Sequence, residues 1–200
     1  MKILISGGAG FLGSEIVNKI INNKNIDVTV IDNLSSGYLE RIKKNINRIR
    51  FINADICRIN KLKLPRFDWI IHSSALAPLP DNQCNHFQSI VTNIAQCGSI
   101  VDFCIKSGTK NIIFFSSSAI YEKQIIKPFD ENITKPPVLM YATTKYLAEK
   151  YFDSVVKSYN INVISLRLAN IYGRNQDYFR KQTPFLGYLI KNTLNNKKLT

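Results

Sequence analysis

The chain has 200 residues, 45% of them hydrophobic and 20% charged, with a formal net charge of +13. That length fits one domain and the start of a second, and the composition builds a packed core rather than a disordered polymer. No apolar run approaches the ~18–20 residues that span a bilayer, and the lysines (Lys43-Lys44, Lys61, Lys63, Lys197-Lys198) are scattered rather than gathered with aromatics, which argues against nucleic acid and membrane as partners.

Strand-like and helix-like segments alternate along the chain. Lys2–Ser6 is a short apolar run. It runs straight into glycines, so it reads as a buried first strand and not as a signal peptide, and the cytoplasm is the expected location. A helical pattern follows from Phe11 to Asn22, then strand-like stretches at Asp27–Ile31, Arg50–Asn53 and Asp68–His72. A helix is expected over Phe87–Lys106, a fully buried strand over Asn111–Phe115, a helix over Tyr141–Tyr159 and a strand over Val163–Leu168. Continuous apolar runs, rather than alternation, indicate strands covered on both faces. The expected fold is therefore α/β, a Rossmann-type doubly wound parallel sheet, over residues 1–173. Beyond Gly173 the segment Arg174–Phe179 is polar, Pro184–Asn195 could form one helix, and residues 174–200 read as the beginning of a truncated C-terminal substrate domain. The cysteines at 57, 84, 97 and 104 lack paired spacing, so buried free thiols are expected and no metal site.

Gly7-Gly8-Ala9-Gly10-Phe11-Leu12-Gly13 sits between the first strand and the first helix. A turn there needs positive φ, backbone close to a pyrophosphate, and helix N–H groups facing the anion, which only glycines at Gly7, Gly10 and Gly13 allow. Asp32, about twenty residues on, ends the second strand, where a carboxylate accepts from ribose hydroxyls and repels a 2′-phosphate; no arginine follows it, so NAD is favoured over NADP. Asp55 and Ile56 offer a polar edge and an apolar face for adenine, although a loop acid would look the same. Tyr141 and Lys145 lie four apart on one helix face, where an ammonium, together with the positive charge of a bound nicotinamide, favours the phenolate and lowers the tyrosine pKa. The run Ser116-Ser117-Ser118-Ala119-Ile120-Tyr121 follows a buried strand, at the end of the sheet where ligands bind.

Together these segments resemble the extended short-chain dehydrogenase/reductase family, in its NAD-dependent epimerase/dehydratase branch. The matching stretches are Gly7–Gly13, Asp32-Asn33-Leu34, Ala54-Asp55-Ile56, His72-Ser73-Ser74-Ala75, Asn93, Ser116–Tyr121, Tyr141–Lys145 and Arg167–Gly173, spanning about residues 1–175. The resemblance implies that Phe11 and Leu12 lie along the pyrophosphate, that Asn33, Ser73, Ser74 and Ala75 line the cofactor, and that Asn93 helps order the site. It implies Lys145 on the nicotinamide ribose, Asn170 at the substrate diphosphate, and Ser117, four residues before Tyr121, as the catalytic serine, with Ser118 a close second. It further implies a homodimer packed through the helices near 87–106 and 141–159. Three positions depart from the family pattern: Glu122 and Gln96 stand where glycine is common, and Arg174 where proline is frequent.

Dehydratases of the family carry an acid just after the catalytic serine or threonine, to protonate a leaving hydroxyl. Here Ser118 and Ala119 follow Ser117. The reaction implied is thus epimerisation of a nucleotide-diphosphate sugar: oxidation to a keto sugar as Tyr141 takes the hydroxyl proton, then reduction on the other face. A dehydratase or reductase of the same family, an inactive NAD-binding fragment, and a regulatory module that has kept only the fold are the alternatives.

Overall fold

The computed structural model describes residues 1–77, 85–124, 128–132, 135–176 and 185–197. Two compact units divide the chain, Met1–Ala169 and Asn170–Thr200. In the first unit the strands β1 (Lys2–Ser6), β2 (Asp27–Asp32), β3 (Arg50–Asn53), β4 (Trp69–His72), β5 (Asn111–Ser117) and β6 (Asn162–Leu168) form one sheet in the order β3-β2-β1-β4-β5-β6. Every pairing is parallel. The strand order reverses between β1 and β4, whose carboxyl ends pair as Ser6 with His72. A cleft opens at such a reversal, because the connections leave in opposite directions.

Two apolar layers cover the sheet. On one face Leu4, Ile70, Ile112 and Phe114 pack against Ile100, Cys104, Phe152 and Val155. On the other face Ile3, Ile5, Val28, Val30 and Ile71 pack against Val17 of helix α1 (Phe11–Ile20) and Ile21, which caps its end. The period-2 pleat of the strands sends neighbours into opposite layers. The ring of Phe114 meets Phe152 at 5.1 Å between centroids. Truncating either to alanine costs about 3–5 kcal/mol.

The structure corrects three expectations and supplies the strand links that the sequence left open. The stretch expected as one helix over 87–106 is an α-helical turn α2 (His86–Ile90), a π-helical turn (Val91–Ala95) and helix α3 (Gln96–Ser107). The wider turn is placed where Asn93 points inward, and a wider turn of this kind is common beside functional sites. The links from β2 to β3 and from β3 to β4 contain 3₁₀ turns, at Leu39–Arg41, Lys43–Arg48 and Ile56–Lys61; asparagine and isoleucine in the latter two form α-helix poorly. Strand β5 is not buried throughout but alternates, and the edge strand β6 leaves Ile164 and Leu166 exposed. Cys97 and Cys104 are buried free thiols, whereas Cys57 is half-exposed on a 3₁₀ turn; Cys84 lies outside the described residues. Burial pushes the thiols of Cys97 and Cys104 up to about 12, so neither is a nucleophile at neutral pH.

Helix α4 (Met140–Ser158) closes one layer of the first unit. In the second unit a single described helix, α5 (Phe185–Leu194), falls within the expected 184–195 stretch, Pro184 itself lying outside the described residues. Among the described residues no helix is long and apolar enough to cross a membrane.

Candidate active site

The glycine turn makes a cradle that side chains would fill. Gly7 has φ of +73°, and a Cβ on it would lie 2.6 Å from the Ser74 backbone nitrogen. A Cβ on Gly13 would lie 2.1 Å from the Gly7 carbonyl oxygen and 2.8 Å from Ser73 Oγ. Gly10 caps α1 in extended conformation, with no side-chain cap and no acid in the first turn, so the N–H groups around Phe11 and Leu12 are left to an anion. Ser73 Oγ donates to the Ser6 carbonyl at 2.6 Å and ties the end of β4 to the turn. Ala75, next along, is half-buried.

Asp32 is buried, 7% exposed, and its two oxygens accept from Ala9 N at 2.9 Å and Leu34 N at 2.8 Å. The carboxylate therefore holds the glycine turn against the end of β2, in addition to lining the cleft. Asn33 Nδ2 donates to Asp55 Oδ2 at 3.4 Å, and Asp55 caps the next turn by accepting from Cys57 N. Gly7, Asp32, Asn33, Ala54, Ile56 and Ser74 line one pocket, with Ile56 almost wholly buried as its apolar wall. A cradle without Cβ atoms, an open helix N-terminus and a pocket with one carboxylate and an apolar wall are the features a dinucleotide requires. The residues fit the group.

The second half of the site is assembled by α4. Tyr141 is partly buried, and burial raises its pKa, opposed by the Ser117 hydroxyl beside it. Lys145 is only 3% exposed and donates to the Phe115 carbonyl at 2.7 Å, with its ammonium 4.8 Å from the centre of the Phe114 ring. Burial lowers its pKa to about 8, with Cys97 and Glu149 opposing, so it still carries charge at neutral pH. Ser117 ends β5 and caps a 3₁₀ turn (Ser118–Tyr121), its Oγ accepting from Ala119 N at 3.1 Å. Ser118 is the first residue of that turn and half-buried.

Asn93 is the link between the halves. Its Oδ1 accepts from Leu76 N at 2.9 Å, and its Nδ2 donates to Thr144 Oγ1 at 3.1 Å, one residue before Lys145. Asn170 is exposed and opens the second unit.

Several residues reach the site without having been singled out for it. Glu149 and Arg167 form a salt bridge of 2.8 Å, and Arg167 also donates to the Tyr121 hydroxyl at 3.1 Å. This joins α4, β6 and the serine turn; the sequence signal was the spacing of Glu149, four residues past Lys145. Glu122 accepts from the backbone N–H groups of Val138 and Leu139, the latter at 3.1 and 3.2 Å from its two oxygens. It thereby pins the serine turn to the start of the helix that carries Tyr141. His72 is buried with Nδ1 2.7 Å from Ser6 Oγ, and burial first, then the Lys145 charge, lower its pKa to about 3, so it is neutral at physiological pH.

A model of the NAD dependent epimerase/dehydratase family matches residues 3–200. The chain is 35% identical over 180 residues to a putative UDP-glucose 4-epimerase of Methanocaldococcus jannaschii, covering 88% of this chain and 57% of that protein. It is 26% identical to a mouse dTDP-D-glucose 4,6-dehydratase, covering 96% of this chain and 56% of that protein. The crystal structure of the Thermotoga maritima UDP-glucose 4-epimerase with UDP-glucose superposes with a TM-score of 0.89 at 31% identity, over 100% of this chain and 65% of that one. The chain thus spans somewhat over half the length of the curated relatives it matches.

Proposed function

The chain belongs to the NAD-dependent epimerase/dehydratase family, and on that footing we propose that the whole protein is a nucleotide-sugar epimerase that uses NAD. What supports this reading is Tyr141 beside the Ser117 hydroxyl, Lys145 one turn further along the same helix, a glycine turn fit for a dinucleotide, and no acid on the two positions after Ser117. The acid on the same turn, Glu122, is engaged by the start of α4, so it is not free to protonate a leaving hydroxyl. That favours epimerisation over dehydration. A relative named a putative UDP-glucose 4-epimerase, 35% identical to this chain, supports a UDP-sugar as the first substrate to try.

In this reading the turn Gly7–Gly13 and the N-terminus of α1, with Phe11 and Leu12, hold the pyrophosphate. Asp32 holds the adenosine ribose, and Asn33, Asp55, Ile56, Ser73, Ser74 and Ala75 line the adenosine side and the turn. Asn93 keeps the two halves in register. Bound NAD supplies a site that accepts hydride from the sugar and returns it. The protein's own part is proton handling. Ser117 Oγ hydrogen-bonds the reacting sugar oxygen, and Tyr141 Oη takes its proton and gives it back. Because burial holds the phenol protonated in the ligand-free fold, Tyr141 becomes a base only when positive charge is brought beside it. Lys145, fixed on the Phe115 carbonyl, is a standing part of that charge and the hook for the nicotinamide ribose. The region from Asn170 onward begins the substrate-binding part, with Asn170 at the diphosphate. Conversion of UDP-glucose to UDP-galactose by the whole protein, followed by ¹H NMR, tests the assignment; no conversion of this or other nucleotide sugars would overturn it.

The protein is further proposed to be a homodimer. What supports this is the row of apolar side chains, Phe87 at 80% exposed, Ile90, Leu147 and Tyr151, on the outer surfaces of α2 and α4. Leu147→Asp should convert a dimer to a monomer in sedimentation; a wild-type protein that sediments as a monomer would contradict the proposal.

A further inference from the structure

Gln96 lies at the first turn of α3 and is 4% exposed, yet half of its amide has no partner. Its Oε1 accepts from Ser74 Oγ at 2.7 Å, whereas its Nε2 donates to no described group. The direction of that bond follows from the groups behind it. Ser74 Oγ is 3.2 Å from Ser6 Oγ, which is 2.7 Å from His72 Nδ1, and the far nitrogen of that ring, His72 Nε2, is buried without a partner. An orphaned buried N–H is costlier than an orphaned lone pair, so the proton of the neutral ring sits on Nδ1. The chain then runs His72 Nδ1–H to Ser6, Ser6 to Ser74, and Ser74 to Gln96 Oε1. Each hydroxyl donates once, and the amide is left with its NH₂ as the free end. Gln96 lines the pocket that holds Asp32, Asn33, Ala54 and Ile56.

We propose that Gln96 is a cofactor-binding residue whose Nε2 donates a hydrogen bond to the adenosine half of the bound dinucleotide, its amide oriented by the His72–Ser6–Ser74 relay. The inference rests on the reading of this cleft as an NAD site. It gives this protein a donor in the lining of the pocket that also holds the acceptor Asp32, at a position where a glycine would offer none. A donor that faces the pocket and gains its acceptor only on binding contributes to affinity for the ligand that brings the acceptor.

The test is titration of the protein with NADH and with ADP-ribose, which keeps the adenosine, the pyrophosphate and the second ribose but lacks the nicotinamide, for wild type, Gln96→Met and Gln96→Glu, with thermal unfolding alongside. Gln96→Met keeps the length of the side chain and removes both polar ends; it should weaken NADH and ADP-ribose by the same factor, about 5–10-fold. Gln96→Glu keeps an acceptor for Ser74 but removes the donor, and should weaken both ligands at least as much while unfolding near the wild-type temperature. A purely structural role would instead leave Gln96→Glu binding as wild type does, and that result overturns the proposal. So does a loss with NADH that ADP-ribose does not share. A wild-type protein that binds neither ligand overturns the NAD reading itself, and the proposal with it.

Discussion

Tyr141→Phe in the whole protein is expected to lower turnover about 10²–10⁴-fold, the usual contribution of a general acid–base group, while leaving the fold and NAD affinity nearly unchanged. The substitution removes one hydroxyl next to Ser117 and leaves the ring and the helix in place. Lys145→Ala should damage more than turnover. Its ammonium is bound to the Phe115 carbonyl and lies over the Phe114 ring, so its loss removes charge from the site, leaves a buried carbonyl without its donor, and weakens NAD. Ser117→Ala should cost less turnover than Tyr141→Phe, and Ser118→Ala less again. The measurement is turnover of a UDP- or TDP-sugar by each variant, with thermal unfolding to exclude misfolding. A folded Tyr141→Phe protein of full activity would leave the Tyr–Lys spacing an accident of the helix.

Gly13→Val is expected to abolish NADH binding, a loss of 100-fold or more by a clash that no rotamer relieves. A Cβ there would lie 2.1 Å from the Gly7 carbonyl oxygen, so the helix must move away from the turn that holds the pyrophosphate. The change should also lower thermal stability, since α1 packs on the sheet through Val17. Asp32→Ala is a milder companion. It should weaken NADH and narrow its advantage over NADPH, because it removes both an acceptor and a repulsive charge. Because the same carboxylate also ties Ala9 to Leu34, some loss of stability comes with it. NADH binding by Gly13→Val equal to wild type would show that the cradle is not the phosphate site.

The strands were legible in the sequence because buried parallel strands are short apolar runs with glycines and turns between them. Arg50–Asn53 shows this plainly, since four residues between polar turns form β3 at the expected bounds. The glycine turn and Asp32 were legible for a related reason: both are local demands of one strand–turn–helix unit. What the sequence hid depends on distant partners. The π-helical turn at Val91–Ala95 leaves the apolar pattern of a helix intact, so only the inward reach of Asn93 to Leu76 and Thr144 reveals it. Glu122 looked like a mere departure from glycine, and its purpose appears only when the start of α4 comes back across the serine turn. The spacing puts Tyr141 and Lys145 on one helix face but does not show where the ammonium is held. In the fold the lysine is drawn to Phe115 O, and burial dominates Tyr141.

The central claim, that a nucleotide sugar is oxidised and then reduced at one carbon within one site, is tested most directly with UDP-glucose carrying deuterium at C4. The whole protein, with NAD present and no reductant added, is incubated with this sugar and the products are read by ¹H NMR. The account predicts UDP-galactose in which the deuterium remains at C4, because it leaves and returns within the site, and it predicts the loss of that conversion in Tyr141→Phe. Deuterium released to water as the sugar inverts, or a dehydrated keto sugar formed in place of the epimer, would contradict it.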